Sequence, residues 1–229
     1  MIDLILDMAG PAGMSRRDFT RLLMLAVPAI GSGACAVRAQ RHSSLPDFVA
    51  LVERAAPSVV AVGEAKQTLG SGFAVAADLV VTAAHVAQAV KQLVVTSPGG
   101  AQPARVLGAR TDDDVALLEV GTPLKPLPLA AALPRVGEWI VVVGNPFGGG
   151  MTATAGIVSA APGAIAANPE LARRIQINAS VNPGNSGGPV INLAGEVVGA
   201  TTSLVAGGQG IAFATSAAVI RAFLATRGK

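Results

Sequence analysis

The chain has 229 residues, enough for one domain or two small ones around a real core. Hydrophobic residues make up 51% of it and charged residues 14%, which excludes a disordered polyelectrolyte. The net charge is only +3 and, past the first forty residues, Arg173-Arg174 is the one adjacent basic pair, so the basic, aromatic-studded stripe of a nucleic-acid-binding protein is missing.

The chain starts with an address. "SRRDFTRLLMLAVPAIGSGACAVRAQ" carries Arg16 and Arg17, an apolar stretch from Leu22 to Ala34, and then small residues. The stretch is shorter than the roughly 20 residues a spanning helix needs. It resembles a twin-arginine export signal, with Ser15, Arg16, Arg17, Phe19 and Arg21 on the pattern S-R-R-x-F-x-K, Arg in place of Lys. That resemblance implies a bacterial periplasmic or secreted product, cleaved after Val37-Arg38-Ala39, with Met14 as an alternative start to Met1. An uncleaved membrane anchor and a short core helix are competing uses of the segment. Cys35 in "SGAC" offers a lipidation site, although Ser32 stands where Leu is usual. The single cysteine lies in this segment, so residues 40–229 contain no thiol and rely on their core.

After residues 1–39, "SLPDFVALVERAAPSVVAV" gives an amphipathic stretch (Phe48, Val49, Val52, Ala55) ended by Pro57. Short β-rich runs follow at 58–63, 71–76, 78–83, 92–96, 103–108 and 115–120, with turn residues such as "SPGG" and "TDDD" between them. This spacing predicts an all-β sandwich or barrel. "GTPLKPLPLAAALP" at 121–134 suits a linker, so residues 40–130 and 131–229 read as two β units. The second unit has runs at 138–143, 152–159, 174–179, 189–193, 196–203 and 210–214, with "NLAGE" as a hairpin turn. "SAAVIRAFLATRGK" closes the chain as a helix capped by Ser216, with Val219, Ile220, Phe223 and Leu224 on one face.

Within "VNPGNSGGPVIN" one serine, Ser186, sits among glycines. Glycines there let the backbone turn tightly, let a substrate approach, and allow N–H groups to converge as an oxyanion hole requires. Serine is a poor nucleophile unless a base lies in hydrogen-bond reach and is itself oriented by a third group. Of the two histidines, His42 falls in a polar stretch and reads as solvated, whereas His85 ends an apolar strand in "LVVTAAHV". "TDDDVALLEV" supplies the carboxylate: Asp114 abuts the strand, while Asp112 and Asp113 are expected to solvate the preceding turn. No cysteine or clustered carboxylate accompanies either histidine at ligand spacing, so neither a metal nor any other cofactor is expected.

The order His, Asp, Ser, together with "TAAHV", "DVALLEV", "GNPFG" and "NPGNSGGPVIN", resembles the HtrA (Deg) family of trypsin-fold serine proteases from about Phe48 to the C-terminus. The resemblance implies two six-stranded antiparallel β-barrels with a C-terminal helix, His85 and Asp114 on the first barrel and Ser186 on the second. It implies that Ser186 attacks, His85 is the base and Asp114 holds the imidazole. The N–H groups of Gly184 and Ser186, with Asn185 between them, form the oxyanion hole. It further implies a specificity pocket made by Ile211, Ala212 and Phe213 with Ser180 and Val181 at its base; no acid is among them, so a small or medium aliphatic residue is expected at the cleaved position. "GNPFGGGMTATAG" at 144–156 is read as an active-site loop or a long surface turn. Many family members continue into PDZ domains, which this sequence does not contain, and "EAKQTL" leaves little room for a long regulatory loop. Family trimers form through the N-terminal part of the protease domain, often by aromatic contacts; here Phe48 is the only aromatic between the signal and Phe73. The expected function is exported cleavage of unfolded or damaged polypeptides, the alternatives being a protease-fold chaperone or binding protein with little peptidase activity, or ester hydrolysis or acyl transfer by the same triad.

Overall fold

The computed structural model describes residues 46–229 apart from 66, 146–149, 165–170, 205–209 and 227–229. The expected export signal, Cys35 and His42 lie outside the described residues.

Every predicted strand is present. β1 (Val59–Glu64), β2 (Gln67–Ala76), β3 (Leu79–Thr82), β4 (Val94–Ser97), β5 (Gly100–Arg110) and β6 (Val115–Val120) close into one barrel, in the order β1-β2-β3-β6-β5-β4. β7 (Trp139–Gly144), β8 (Thr152–Ala160), β9 (Arg174–Ile177), β10 (Pro189–Asn192), β11 (Val197–Leu204) and β12 (Ala212–Ser216) close into a second, in the order β10-β11-β12-β9-β8-β7. All pairings within the barrels are antiparallel.

Several strands are apolar on both faces, which explains why they read as unbroken runs. Successive side chains of a strand point to opposite faces. In "VALL" of β6, Ala116 and Leu118 fill the first barrel, while Val115 and Leu117 face a cluster shared with the second. In "IVVV" of β7, Ile140 and Val142 fill the second barrel, and Val141 and Val143 reach the same shared cluster. That cluster joins Phe73, Val81 and Leu117 to Ile191, Val197 and Ala200, and the two helices cover its edges. Burying a side chain of this size contributes about 1.5–3 kcal/mol, so the shared layer holds the barrels in one arrangement. His85 and Asp114 come from the first barrel and Ser186 from the second.

α1 (Phe48–Ala55) starts at Asp47, whose side chain accepts from the Ala50 N–H. Its inward face is Phe48, Leu51, Val52 and Ala55. Val49 is not part of that face: at 69% exposure it points to solvent, because the stripe follows positions i, i+3, i+4 and i+7 and Val49 falls between them. The 121–134 segment is more than a tether. Leu127 N–H donates to Ala74 of β2, and Val197 N–H of β11 donates to Pro128, so the linker is stitched to both barrels. The "NLAGE" turn forms as expected, with the Asn192 side chain accepting from the Ala194 and Glu196 N–H groups. α3 (Ala217–Ala225) begins at Ser216, which caps Val219, and buries Ile220 and Phe223.

Candidate active site

His85 lies in a five-residue helix, α2 (Ala84–Gln88), directly after β3. Ala84, Val86 and Ala87 are buried around it, which leaves the imidazole facing out, 52% exposed. Asp114 ends the tight turn before β6, its N–H donating to Thr111. Its φ of 49° makes it the one non-glycine residue with positive φ among the described residues, and aspartate is among the few side chains that tolerate this region. The turn aims the carboxylate at His85. The imidazole Nδ1–H donates to both Asp114 oxygens at 2.9 Å, and the His85 main-chain N–H donates to Oδ1 at 3.0 Å. An ionised carboxylate only accepts, so this pairing puts the imidazole proton on Nδ1 and leaves the Nε2 lone pair free.

The Asp114 side chain is 14% exposed. Burial works to raise its pKa, but the side-chain and main-chain bonds from His85, with the His85 and Arg174 charges, outweigh burial and hold it below its ordinary 3.8. The carboxylate is therefore charged throughout the physiological range.

Ser186 sits between Gly184 (φ 99°) and Gly187 (φ 84°) in the loop before β10. This loop meets the His85 segment across the barrel interface: a Cβ on Gly70 would lie 2.7 Å from the Ser186 carbonyl and strike the Val86 methyls. A Cβ on Gly187 would collide with Thr82, Ala83 and the Ser71 carbonyl. The glycines thus allow the His85 and Ser186 segments to pack backbone to backbone. The Ser186 hydroxyl donates to the Thr202 carbonyl at 3.3 Å, and no Ser186–His85 hydrogen bond is present among the described residues.

The loop's amides divide into engaged and free. Asn185 N–H donates to Asn182 at 2.9 Å, Gly187 N–H to Thr201 at 2.7 Å, and Gly188 N–H to Asn185 at 2.9 Å. Gly184 and Ser186 N–H have no acceptor among the described residues. The Asn185 side chain folds inward, and Gly144 leaves room for its Oδ1, which a Cβ there would meet at 2.5 Å.

Of the expected pocket residues, Ser180 is exposed and its carbonyl accepts from the Thr154 hydroxyl at 2.7 Å. Val181 and Ala212 belong to the core of the second barrel. Phe213, between Ala212 and Ala214, lies on the opposite face of β12 and is buried; its carbonyl accepts from the Thr202 hydroxyl. Ile211 is half-buried beside residues 205–209, which lie outside the described residues, as do 146–149 of the glycine-rich loop.

Sequence reasoning misplaced Asp113. It does not solvate a turn: its side chain is 2% exposed, with Arg110 at 2.9 Å and Arg173 at 3.1 Å. Its carbonyl accepts from the Thr215 hydroxyl on β12, and Thr215 in turn accepts from Arg174. A buried carboxylate is stable only when so paired, and one of its two partners, Arg173, comes from sixty residues on. Ser71 was also missed, although "GSG" inside a strand repeats the signal that singled out Ser186.

The Trypsin-like peptidase domain family matches residues 70–199. The "Probable periplasmic serine endoprotease DegP-like" of Brucella suis biovar 1 (strain 1330) is 44% identical over 154 residues, covering 63% of this chain and 30% of the relative. The protein of the same name from Ectopseudomonas mendocina (strain ymp) is 34% identical, covering 76% of this chain and 47% of the relative. The "Periplasmic pH-dependent serine endoprotease DegQ" of Escherichia coli (strain K12) is 44% identical, covering 62% and 32%. The chain therefore spans less than half the length of these curated relatives. Among solved structures, the serine endoprotease from Yersinia pestis superposes with a TM-score of 0.69 at 29% identity, covering 79% of this chain and 66% of that one.

Proposed function

This chain belongs to the trypsin-like peptidase family, in its HtrA (Deg) group, and we propose that it is an exported serine endopeptidase acting on unfolded or damaged polypeptides. The observation that carries the reading is the two-point Nδ1–Asp114 bond, which leaves Nε2 as a proton acceptor. The Ser186 bond to Thr202, at 3.3 Å, is longer than a good hydroxyl hydrogen bond, so turning the hydroxyl towards the imidazole gives up little. Such bonds commonly tighten only once substrate is bound.

In the proposed cycle Ser186 Oγ attacks the peptide carbonyl carbon while its proton passes to His85 Nε2. The carbonyl oxygen becomes the oxyanion, stabilised by the Gly184 and Ser186 N–H groups. His85 then hands the proton to the leaving amine, giving an acyl-Ser186 that water hydrolyses by the same relay in reverse. Asp114, held ionised, stabilises the imidazolium and fixes its tautomer. Each oxyanion donor contributes about a hundred- to a thousandfold in turnover. Ser180, Val181, Ile211, Ala212 and Phe213 carry no acid, which supports cleavage after small or medium aliphatic residues.

The periplasmic names of the relatives and the Arg16-Arg17 signal support twin-arginine export. Among the described residues no helix is long and apolar enough to cross a membrane. Phe48 and Trp139 meet edge-on at 5.7 Å beside exposed Val49, which supports trimerisation at this end; light scattering of Trp139→Glu, expected to shift trimer to monomer, tests it. For the activity, the test is degradation of casein by the wild type and by Ser186→Ala. Wild-type degradation lost in the variant supports the endopeptidase; a wild type that binds casein without cleaving it favours the chaperone reading.

A further inference from the structure

We propose that Ser71 is a positioning residue for the oxyanion loop: a buried serine of the first barrel that holds the backbone of the second in its catalytic shape. The inference rests on the endopeptidase reading and extends it to a residue outside the triad.

Ser71 lies on β2, fully buried, between Gly70 and Gly72. Its hydroxyl donates to the Gly184 carbonyl at 2.6 Å and accepts from the Asn145 N–H at 2.9 Å. Its main-chain N–H donates to the Ser186 carbonyl at 2.7 Å. Its own carbonyl accepts from the Thr82 hydroxyl at 2.7 Å, fixing it in turn.

A peptide unit turns as a plane, so holding one end orients the other. The Gly184–Asn185 unit is held at its carbonyl by the Ser71 hydroxyl and at its N–H by Asn182. The Ser186–Gly187 unit is held at its carbonyl by the Ser71 N–H and at its N–H by Thr201. Between them, the Asn185–Ser186 unit is held only at its carbonyl, by Gly188 N–H. The units flanking Ser71's grip are thus the two whose N–H groups, those of Gly184 and Ser186, remain without a protein acceptor among the described residues. Oxyanion stabilisation works through donors set in place before reaction, and Ser71 sets both.

Serine suits the position for a definite reason. Its hydroxyl donates and accepts at once in a buried position, where alanine would strand the buried Gly184 carbonyl and the part-buried Asn145 N–H. Gly70 allows the approach, since a Cβ there would meet the Ser186 carbonyl at 2.7 Å. The pattern G-S-G in a strand is thus the counterpart of the glycines around Ser186, 115 positions on.

The test uses the full exported chain and its Ser71→Ala and Ser71→Cys variants, with a chromogenic peptide bearing an aliphatic residue at the cleaved position. Active sites are counted by the endpoint of fluorophosphonate labelling, so kcat refers to folded enzyme. Ser71→Ala should lower kcat per labelled site about tenfold to a hundredfold, less than loss of a whole donor, with KM changed less than about threefold. Affinity for a peptide boronate, which places an oxygen where the oxyanion forms, should fall in parallel with kcat. Ser71→Cys, of nearly equal size and a weaker donor, should fall between the two and carries the test if the alanine variant does not fold. A kcat per site within threefold of wild type in the folded variants, or loss seen only as fewer labelled sites, overturns the role of Ser71 and leaves the endopeptidase reading intact. A wild type that neither labels nor cleaves overturns both.

Discussion

Replacing Asp113 by alanine tests whether the charged knot beneath Asp114 ties the barrels together. The carboxylate joins Arg110 at 2.9 Å and Arg173 at 3.1 Å, and the neighbouring carbonyl is held by Thr215 of the second barrel. Arg173 is 59% exposed, so water competes for it and its pair contributes about 0.5 kcal/mol. Arg110 is 35% exposed, with its guanidinium 5.5 Å above the Phe223 ring; this more enclosed pair contributes about 1.5 kcal/mol. Both arginines can swing into water once the carboxylate is gone, which keeps the loss below the 3–5 kcal/mol of a fully buried pair. We expect Asp113→Ala to destabilise by about 2 kcal/mol, lowering the melting temperature by about 4–8 °C for a domain of this size. Because Asp114 follows directly, kcat should fall about three- to tenfold, short of the hundredfold that a 1 Å misplacement brings. Differential scanning calorimetry and steady-state kinetics at 25 °C read the two effects. A melting temperature within about 1 °C of wild type would refute the reasoning, since the pairs would then contribute nothing beyond solvation.

Gly187→Ala places a side chain at φ 84°, a left-handed conformation costing about 1–2 kcal/mol, and drives its Cβ into the Ser71 carbonyl and Ala83. Turnover on the chromogenic peptide should fall at least a hundredfold, and near-normal turnover would contradict the close packing described. A third prediction concerns acid. Asp114 is held below its ordinary 3.8, so its pairing stabilises the fold fully above that value and the contribution is lost as pH falls through the lower folded value. Urea midpoints from pH 6 downward should drop more steeply below pH 3.8 for wild type than for Asp114→Asn; parallel curves would show that the carboxylate is not favourably paired.

Most strands were legible because they follow local rules: short apolar, often β-branched runs bounded by turn residues. β5 exceeded its predicted 103–108 because it pairs with β4 as far as Gly100 and with β6 as far as Arg110, contacts set by partners rather than by its own residues. The candidate site was legible as a composition anomaly, a serine and its glycines where a strand should begin. Asp113 was not, because an aspartate among aspartates reads as solvated until Arg173 is brought beside it. Val49 was misassigned because an apolar residue directly after Phe48 reads as part of the stripe, although it falls outside the i, i+3, i+4, i+7 positions. Ser71 announced itself in "GSG", but its partner Gly184 is 113 residues distant, and only barrel-on-barrel packing connects them.

The central claim is that one hydroxyl, activated by one imidazole, performs the chemistry. Treating the purified protein with a serine-directed fluorophosphonate and mapping the adduct by mass spectrometry tests it most directly. Stoichiometric labelling of Ser186, abolished by prior denaturation and slowed at least a hundredfold by His85→Ala, is the predicted result. Labelling elsewhere, or of Ser186 at an unchanged rate without the imidazole, would contradict it.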